Sequence, residues 1–218
     1  MRIVIAGGHG KIALITERIL SGRGDSVAGL VRNPAHRADL EAAGAQPIVV
    51  DLEDASAEVV AAHLAGADAV IFAAGAGPGS GAARKATVDR DAAVLLADAA
   101  EAAGVRRYLM VSSMGADAEA PDEVGDPVFV AYLRAKGAAD DDIRARGGLD
   151  ATIVRPGVLT DEPGTGLVTI AGSTGRGSIP RADVAAVLVA VLDAPATAGR
   201  TVELISGETP IADAVAAV

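Results

Sequence analysis

The chain has 218 residues, half of them hydrophobic, with 29 acidic against 19 basic side chains and a formal charge of −10. That balance offers a nucleic-acid backbone or an anionic membrane net repulsion, and aromatic residues at 2% leave no surface on which bases could stack. With no cysteine and only the scattered His9, His36 and His63, disulfide frameworks, thiolate zinc sites, cysteine nucleophiles and histidine metal centres drop out, and a reducing, cytoplasmic setting is expected.

Short apolar runs alternate with alanine-rich helical segments, the pattern of a parallel sheet flanked by helices. In chain order, a strand at Arg2–Ala6 leads into a helix at Gly10–Leu20, and a strand at Ser26–Val31 into a helix at Pro34–Ala43. A strand at Gln46–Val50 precedes a helix at Ala57–Leu64, and one at Ala69–Phe72 precedes the long helical segment Ala83–Ala103. Then come a strand at Arg107–Ser112, a helix at Phe129–Arg146, a strand at Ala151–Val154, a helix at Arg181–Leu192, a strand at Thr201–Leu204 and a short helix from Ile211. The apolar run Val184–Leu192 is bounded by Asp183 and Asp193 and falls far short of the roughly 20 residues a bilayer demands, so it reads as buried helix. The expected architecture is α/β: one Rossmann-type domain over residues 1–218, a doubly wound parallel sheet with helices on both faces. Two irregular segments, Gly75–Gly81 and Pro156–Pro180, each follow a strand, at the sheet edge where ligands bind in such folds.

The sharpest motif is GGHGKIA at residues 7–13, directly after the first strand. Gly7 suits a tight turn, Gly10 allows a pyrophosphate to approach the helix amides, and the small Ala13 allows helix and strand to pack closely. The spacing departs from GxGxxG, and an ordinary strand-to-helix turn is the plain alternative. After the second strand, Arg32 offers a planar fork for a 2′-phosphate and Lys11 a second charge, which favours NADP(H) over NAD(H). A solvated surface arginine would look the same. Asp51 could accept a hydrogen bond from an adenine amino group or simply cap Leu52-Glu53-Asp54.

Tyr132 and Lys136 lie four residues apart and therefore on one helix face. An ammonium beside the phenol would lower its pKa and could also bind ribose hydroxyls, making the phenol an acid or base at neutral pH. The alternative is a surface pair without a role. Ser112 and Ser113 close the fifth strand, and one of them could hydrogen-bond a substrate carbonyl, although serines at strand ends also cap loops.

GGHGKIA at 7–13, LVRNP at 30–34, FAAGAGPGSG at 72–81, VDRDAA at 88–93, MVSSMGAD at 110–117, YLRAK at 132–136, TIVRPGVLTDEPGTG at 152–166 and IPRADVA at 179–185 together resemble the atypical short-chain dehydrogenase/reductase superfamily. More narrowly, they resemble its NAD(P)H-binding, NmrA-like branch, whose members are often described provisionally as NAD-dependent epimerases/dehydratases. The resemblance covers essentially the whole chain in order. It implies that Gly7, Gly10 and Ala13 carry the pyrophosphate, Arg32 the 2′-phosphate and Asp51 the adenine, with Ala73, Ala74 and Gly75 lining the cofactor crevice. Gly8, His9, Lys11, Ile12, Leu52, Val111 and Lys136 complete the implied cofactor contacts, and Arg155, Pro156 and Gly157 form the turn beside the nicotinamide. Ser113 (or Ser112), Tyr132 and Lys136 would be the catalytic set, with Asp89 in the place of the usual tetrad asparagine.

The sequence stops without the added domain that holds sugar nucleotides in extended members, which makes a nucleotide-sugar substrate a poorer fit. The glycine-rich stretch Thr160–Ile179 is the expected mobile cover for a small substrate. Three functions stay open: reduction of a small carbonyl or quinone-like substrate by NADPH, epimerase or dehydratase chemistry with internal hydride return, and NADP(H) sensing without turnover. No metal, nucleic acid or membrane partner is expected. Oligomeric state is left undetermined, although the helices at Ala83–Ala103 and Phe129–Arg146 are surfaces on which related folds associate.

Overall fold

The computed structural model describes residues 1–77 and 79–218; Pro78, inside the expected irregular segment 75–81, lies outside them. The central sheet forms because its strands are apolar on both faces. In β1 (Arg2–Ala6), Ile3 and Ile5 face one layer of the core while Val4 and Ala6 face the other, and all four are fully buried. Burial of each isoleucine contributes about 2–3 kcal/mol before entropy is charged against it. β1 runs parallel to β2 (Ser26–Val31) on one side and to β4 (Ala69–Phe72) on the other. β3 (Gln46–Val49) extends the sheet beyond β2, while β5 (Arg107–Val111), β6 (Asp150–Pro156) and β10 (Arg200–Ser206) extend it beyond β4. The chain therefore starts in the middle, builds outward one way, and returns to build the other way. The crevice between β1 and β4 is the switch point.

Helices α1 (Lys11–Gly22) and α7 (Arg181–Leu192) cover one face. α3 (Ala57–Leu64), α5 (Ala92–Ala103) and α6 (Pro127–Ala145) cover the other. The short α2 (Arg37–Ala42) follows a 3₁₀ turn after β2, and α8 (Ile211–Ala216) closes the described chain. Local signals set the boundaries. Asp126 accepts hydrogen bonds from the amides of Val128 and Phe129 at 2.9 and 3.0 Å, and Pro127 opens α6 at the position where its missing N–H costs nothing. Among the described residues, no helix is long and apolar enough to cross a membrane.

Two expectations need correcting. The segment Pro156–Pro180 is not structureless: it contains β7 (Val158–Thr160), β8 (Leu167–Ala171) and β9 (Ser178–Pro180). β8 inserts antiparallel beside β10, with β11 (Thr209–Pro210) at its outer side, and β7 and β9 form a separate parallel pair. Two carboxylates, buried Asp183 and half-buried Glu203, pin the intervening loops. Asp183 accepts from the amides of Thr165 and Gly166, both at 2.9 Å, and Glu203 accepts from Thr174 N at 2.7 Å. The segment Ala83–Ala103 is also not one regular helix. It consists of α4 (Gly81–Arg84), a π-helical stretch Lys85–Asp91 and then α5.

Candidate cofactor cleft and active site

At the switch point Gly7 adopts φ +77°, which a side chain would strain, and a Cβ there would come within 2.6 Å of Ala74 Cα. The turn is thus a cradle that only glycine leaves open. Gly10 then starts α1 and, among the described residues, no side chain caps the helix and its first turn holds no acid. Its leading amides are therefore free to receive an anion. Gly7, His9 and Gly10 line a cleft of about 370 Å³, together with Arg32, Asp51, Leu52, Ala73, Ala74 and Gly75. A dinucleotide pyrophosphate fits this cradle in charge and in shape.

The cleft's outer end carries a charge cluster. Glu53 accepts from Arg32 Nη1 at 2.8 Å, Arg84 Nη2 at 2.5 Å and Thr87 Oγ1 at 2.6 Å. Asp51 accepts from the Glu53 amide at 3.0 Å, the capping geometry that the sequence left open beside an adenine contact. Lys11 does not join this cluster. It pairs with Asp161 at 2.6 Å, as Arg181 does at 2.7 Å, and lines a separate hollow of about 500 Å³ on the other side of α1. The expectation that Lys11 supplies a second charge at the 2′ position is therefore corrected: as the first residue of α1, its side chain points away from Arg32. Gly8, Ile12 and Ala13 pack inward and do not line the cleft.

At the inner end, α6 brings Tyr132, Lys136 and Asp140 along one face at four-residue steps. The Lys136 ammonium is buried. It donates to Val111 O at 3.1 Å and Ala74 O at 3.4 Å, lies 3.4 Å from Asp89 Oδ1, and stands 5.2 Å from the centre of the Phe72 ring. Burial lowers its pKa and Asp89 works against that. Asp89 reaches it from the π-helical stretch, where the wider turn aims the carboxylate inward, and its other oxygen accepts from Ala76 N at 3.2 Å. Val111 thus contributes a carbonyl to Lys136.

Tyr132 is partly buried. Desolvation raises its pKa, the Ser113 hydroxyl opposes that by hydrogen bonding, and Asp89 and Asp140 add to the rise. Spacing predicts a phenol made more acidic by Lys136, and the structure corrects this: the ammonium is spent on Asp89 and two carbonyls, so burial decides and the phenol keeps its proton. Lys85 Nζ stands over the ring, 5.4 Å from its centre, and donates to Gly77 O at 2.9 Å. The ring of Phe129 packs at 6.2 Å.

The two serines separate. Ser112 is buried and donates to Asp140 Oδ2 at 2.9 Å, whereas Ser113 is half-buried, donates to Met114 O at 3.2 Å and lies near enough to Tyr132 to influence its phenol. Asp140 also holds Arg155, whose Nε donates at 2.8 Å and Nη2 at 2.7 Å, so Arg155 braces Asp140 beneath the site. Pro156 and Gly157 are held by backbone pairing: Met114 N donates to Pro156 O at 3.0 Å and Gly157 N to Leu204 O at 2.9 Å. Glu53, Arg84, Lys85 and Asp140 went unrecognised in the sequence. The one signal available was that Asp140 continues the Tyr132–Lys136 spacing by another four residues.

The sheet order and the glycine turn at its switch point define the class: a Rossmann-like, nucleotide-binding α/β protein. A family model described as NAD(P)H-binding matches residues 7–195, and the chain belongs to that family. It is 40% identical over 217 residues to the uncharacterized sugar epimerase YhfK of Bacillus subtilis, covering 99% of each chain. A solved structure from Bacillus halodurans, provisionally named an NAD-dependent epimerase/dehydratase, aligns with a TM-score of 0.91 at 38% identity over 100% of both chains. ChuY, an anaerobilin reductase from Escherichia coli O157:H7, aligns with a TM-score of 0.78 at 27% identity, over 94% of this chain and 97% of that one.

Proposed function

We propose that the protein is an NADP(H)-dependent reductase of a small carbonyl or quinone-like substrate, with Ser113 and Tyr132 handling the substrate oxygen. The observation that carries this reading is the placement of Tyr132, a phenol that burial keeps protonated, beside Ser113 and one helical turn before Lys136, whose ammonium reaches the carbonyl of the cleft-lining Ala74 at 3.4 Å. When bound, the nicotinamide supplies or accepts the hydride. Ser113 orients the substrate oxygen, and Tyr132 holds the proton that this oxygen gains as hydride reaches its carbon. Lys136, fixed by Asp89 and by the carbonyls of Val111 and Ala74, holds the inner end of the cleft in place behind Tyr132. Lys85 faces the phenol ring and favours negative charge developing there. The reductase name of ChuY supports net reduction.

Tyr132→Phe tests this. The variant should lose about 10²- to 10⁴-fold in NADPH-dependent turnover while binding NADPH as the parent does, and a variant that retains its rate removes the proton-donor role. The names of the two Bacillus relatives favour a second reading, epimerase or dehydratase chemistry, in which Tyr132 takes a hydroxyl proton and the hydride returns to the same substrate. Cofactor retained through purification, with product formed and no net NADPH consumed, selects that reading.

A further inference from the structure

Glu53 stands at a focus built for an anion. Guanidiniums from the end of β2 (Arg32) and from α4 (Arg84) converge on it with the Thr87 hydroxyl from the π-helical stretch, at 2.8, 2.5 and 2.6 Å. Arg32, Glu53 and Arg84 all line the cleft, and Asp51 stands 3.9 Å from Arg32 Nε. Two planar forks and a hydroxyl match the three terminal oxygens of a phosphate monoester better than the two of a carboxylate. Hydrogen bonds from Arg84 and Thr87 hold the Glu53 carboxyl below the usual range, so it stays an anion throughout the neutral region. Unlike the buried pairs farther in, this cluster is open to water, and its partners can be exchanged.

We propose that Glu53 is an internal anion that sets coenzyme selectivity: it occupies Arg32 and Arg84 when the adenosine ribose carries a free 2′-hydroxyl, and surrenders them when a 2′-phosphate arrives. Arg84 is then a second phosphate anchor that acts with Arg32. This rests on the reading that the outer end of the cleft receives the adenosine ribose. In the first state the carboxylate can accept a hydrogen bond from the ribose hydroxyl. In the second, the phosphate must out-compete it, so Glu53 tempers the preference for NADP(H) and keeps NAD(H) admissible.

The test is calorimetric titration of the full chain with adenosine 2′,5′-bisphosphate and with 5′-AMP, which differ only in the 2′-phosphate. Glu53→Gln should raise the ratio of the two affinities about tenfold, and Arg84→Met should lower it about tenfold. A thermal unfolding midpoint within about 3 °C of the parent's reports an intact fold in each variant. If Glu53→Gln weakens 5′-AMP as well, the ratio in Arg84→Met decides. Ratios within about twofold of the parent in both variants overturn the proposal and leave cofactor binding here standing. Failure of both nucleotides to bind the parent chain would instead overturn the cofactor reading itself, and this proposal with it.

Discussion

The two ends of the cleft treat charge in opposite ways. At the outer end Arg32 is 54% exposed and Glu53 22%, while at the inner end Lys136 and Asp89 are 4% and 1% exposed. An ion pair in water is worth little and swaps partners readily, whereas a buried pair is costly to separate because whichever charge remains has no solvent to turn to. The outer end is therefore suited to capturing a ligand's charge by exchange. The inner end is suited to holding an arrangement fixed while a reaction proceeds over it.

Removing charge at each end sharpens the contrast. Lys136→Met should destabilise the fold by about 3–5 kcal/mol, read by urea unfolding, because Asp89 is left buried and unpaired; a loss under about 1 kcal/mol would mean the inner end is wetter than its geometry implies. The next effect probes a buried group behind the glycine turn. Glu17 is fully buried on α1 against Gly8 and Gly29, and among the described residues neither carboxyl oxygen has a hydrogen-bond partner. Burial pushes its pKa to about 8, with Arg18 opposing. The unfolded chain ionises near pH 4.5 while the folded one keeps its proton until about 8, so stability should fall as pH rises through that interval and level off above it. Its size should be on the order of 2–5 kcal/mol, and Glu17→Gln should flatten it. If the parent's stability is already flat from pH 5 to 8, Glu17 is ionised in the folded chain at neutral pH and its site behind the glycine turn is wetter than its burial implies.

Ser112→Ala should cost about 1–3 kcal/mol in thermal unfolding by removing a donor from buried Asp140. The same change should leave the affinity for NADPH near the parent value, since Ser112 is turned to Asp140 and it is Ser113 that lies near Tyr132. The smallest effect belongs to Arg32→Met, which should move stability by less than about 1 kcal/mol while weakening NADPH. A larger stability loss there would erase the distinction between the ends.

Strands and helices with strong apolar periodicity were legible in the sequence to the residue: Arg2–Ala6, Ser26–Val31, Ala57–Leu64, Ala69–Phe72 and Arg181–Leu192. β8 was not, because Leu167–Ala171 is a half-buried strand of alternating character between glycines, and its antiparallel partner lies more than 30 positions away. The π-helical stretch was hidden too, since an added residue in a helical turn leaves no mark on an alanine-rich composition. The glycine turn and the Tyr132–Lys136 spacing could be read because local geometry dictates them. Which group Lys136 would engage could not, because Asp89 reaches it from another helix, 47 positions earlier in the chain. Glu53 was passed over for the same reason: beside Asp51 it looked like part of a capped turn, and only the tertiary fold delivers Arg84 and Thr87 to it.

The seven residues Lys85–Asp91 carry their surplus residue at the hinge of this whole arrangement. Helical side chains advance by about 100° per residue, so a one-residue deletion there, returning the coil to ordinary winding, would swing everything on its amino side around the axis relative to everything after it. Arg84 and Lys85 would turn away together while Ala92 onward stayed in place. A single indel would thus move a cleft-lining arginine and the lysine over the Tyr132 ring at once, where a point substitution alters one of them.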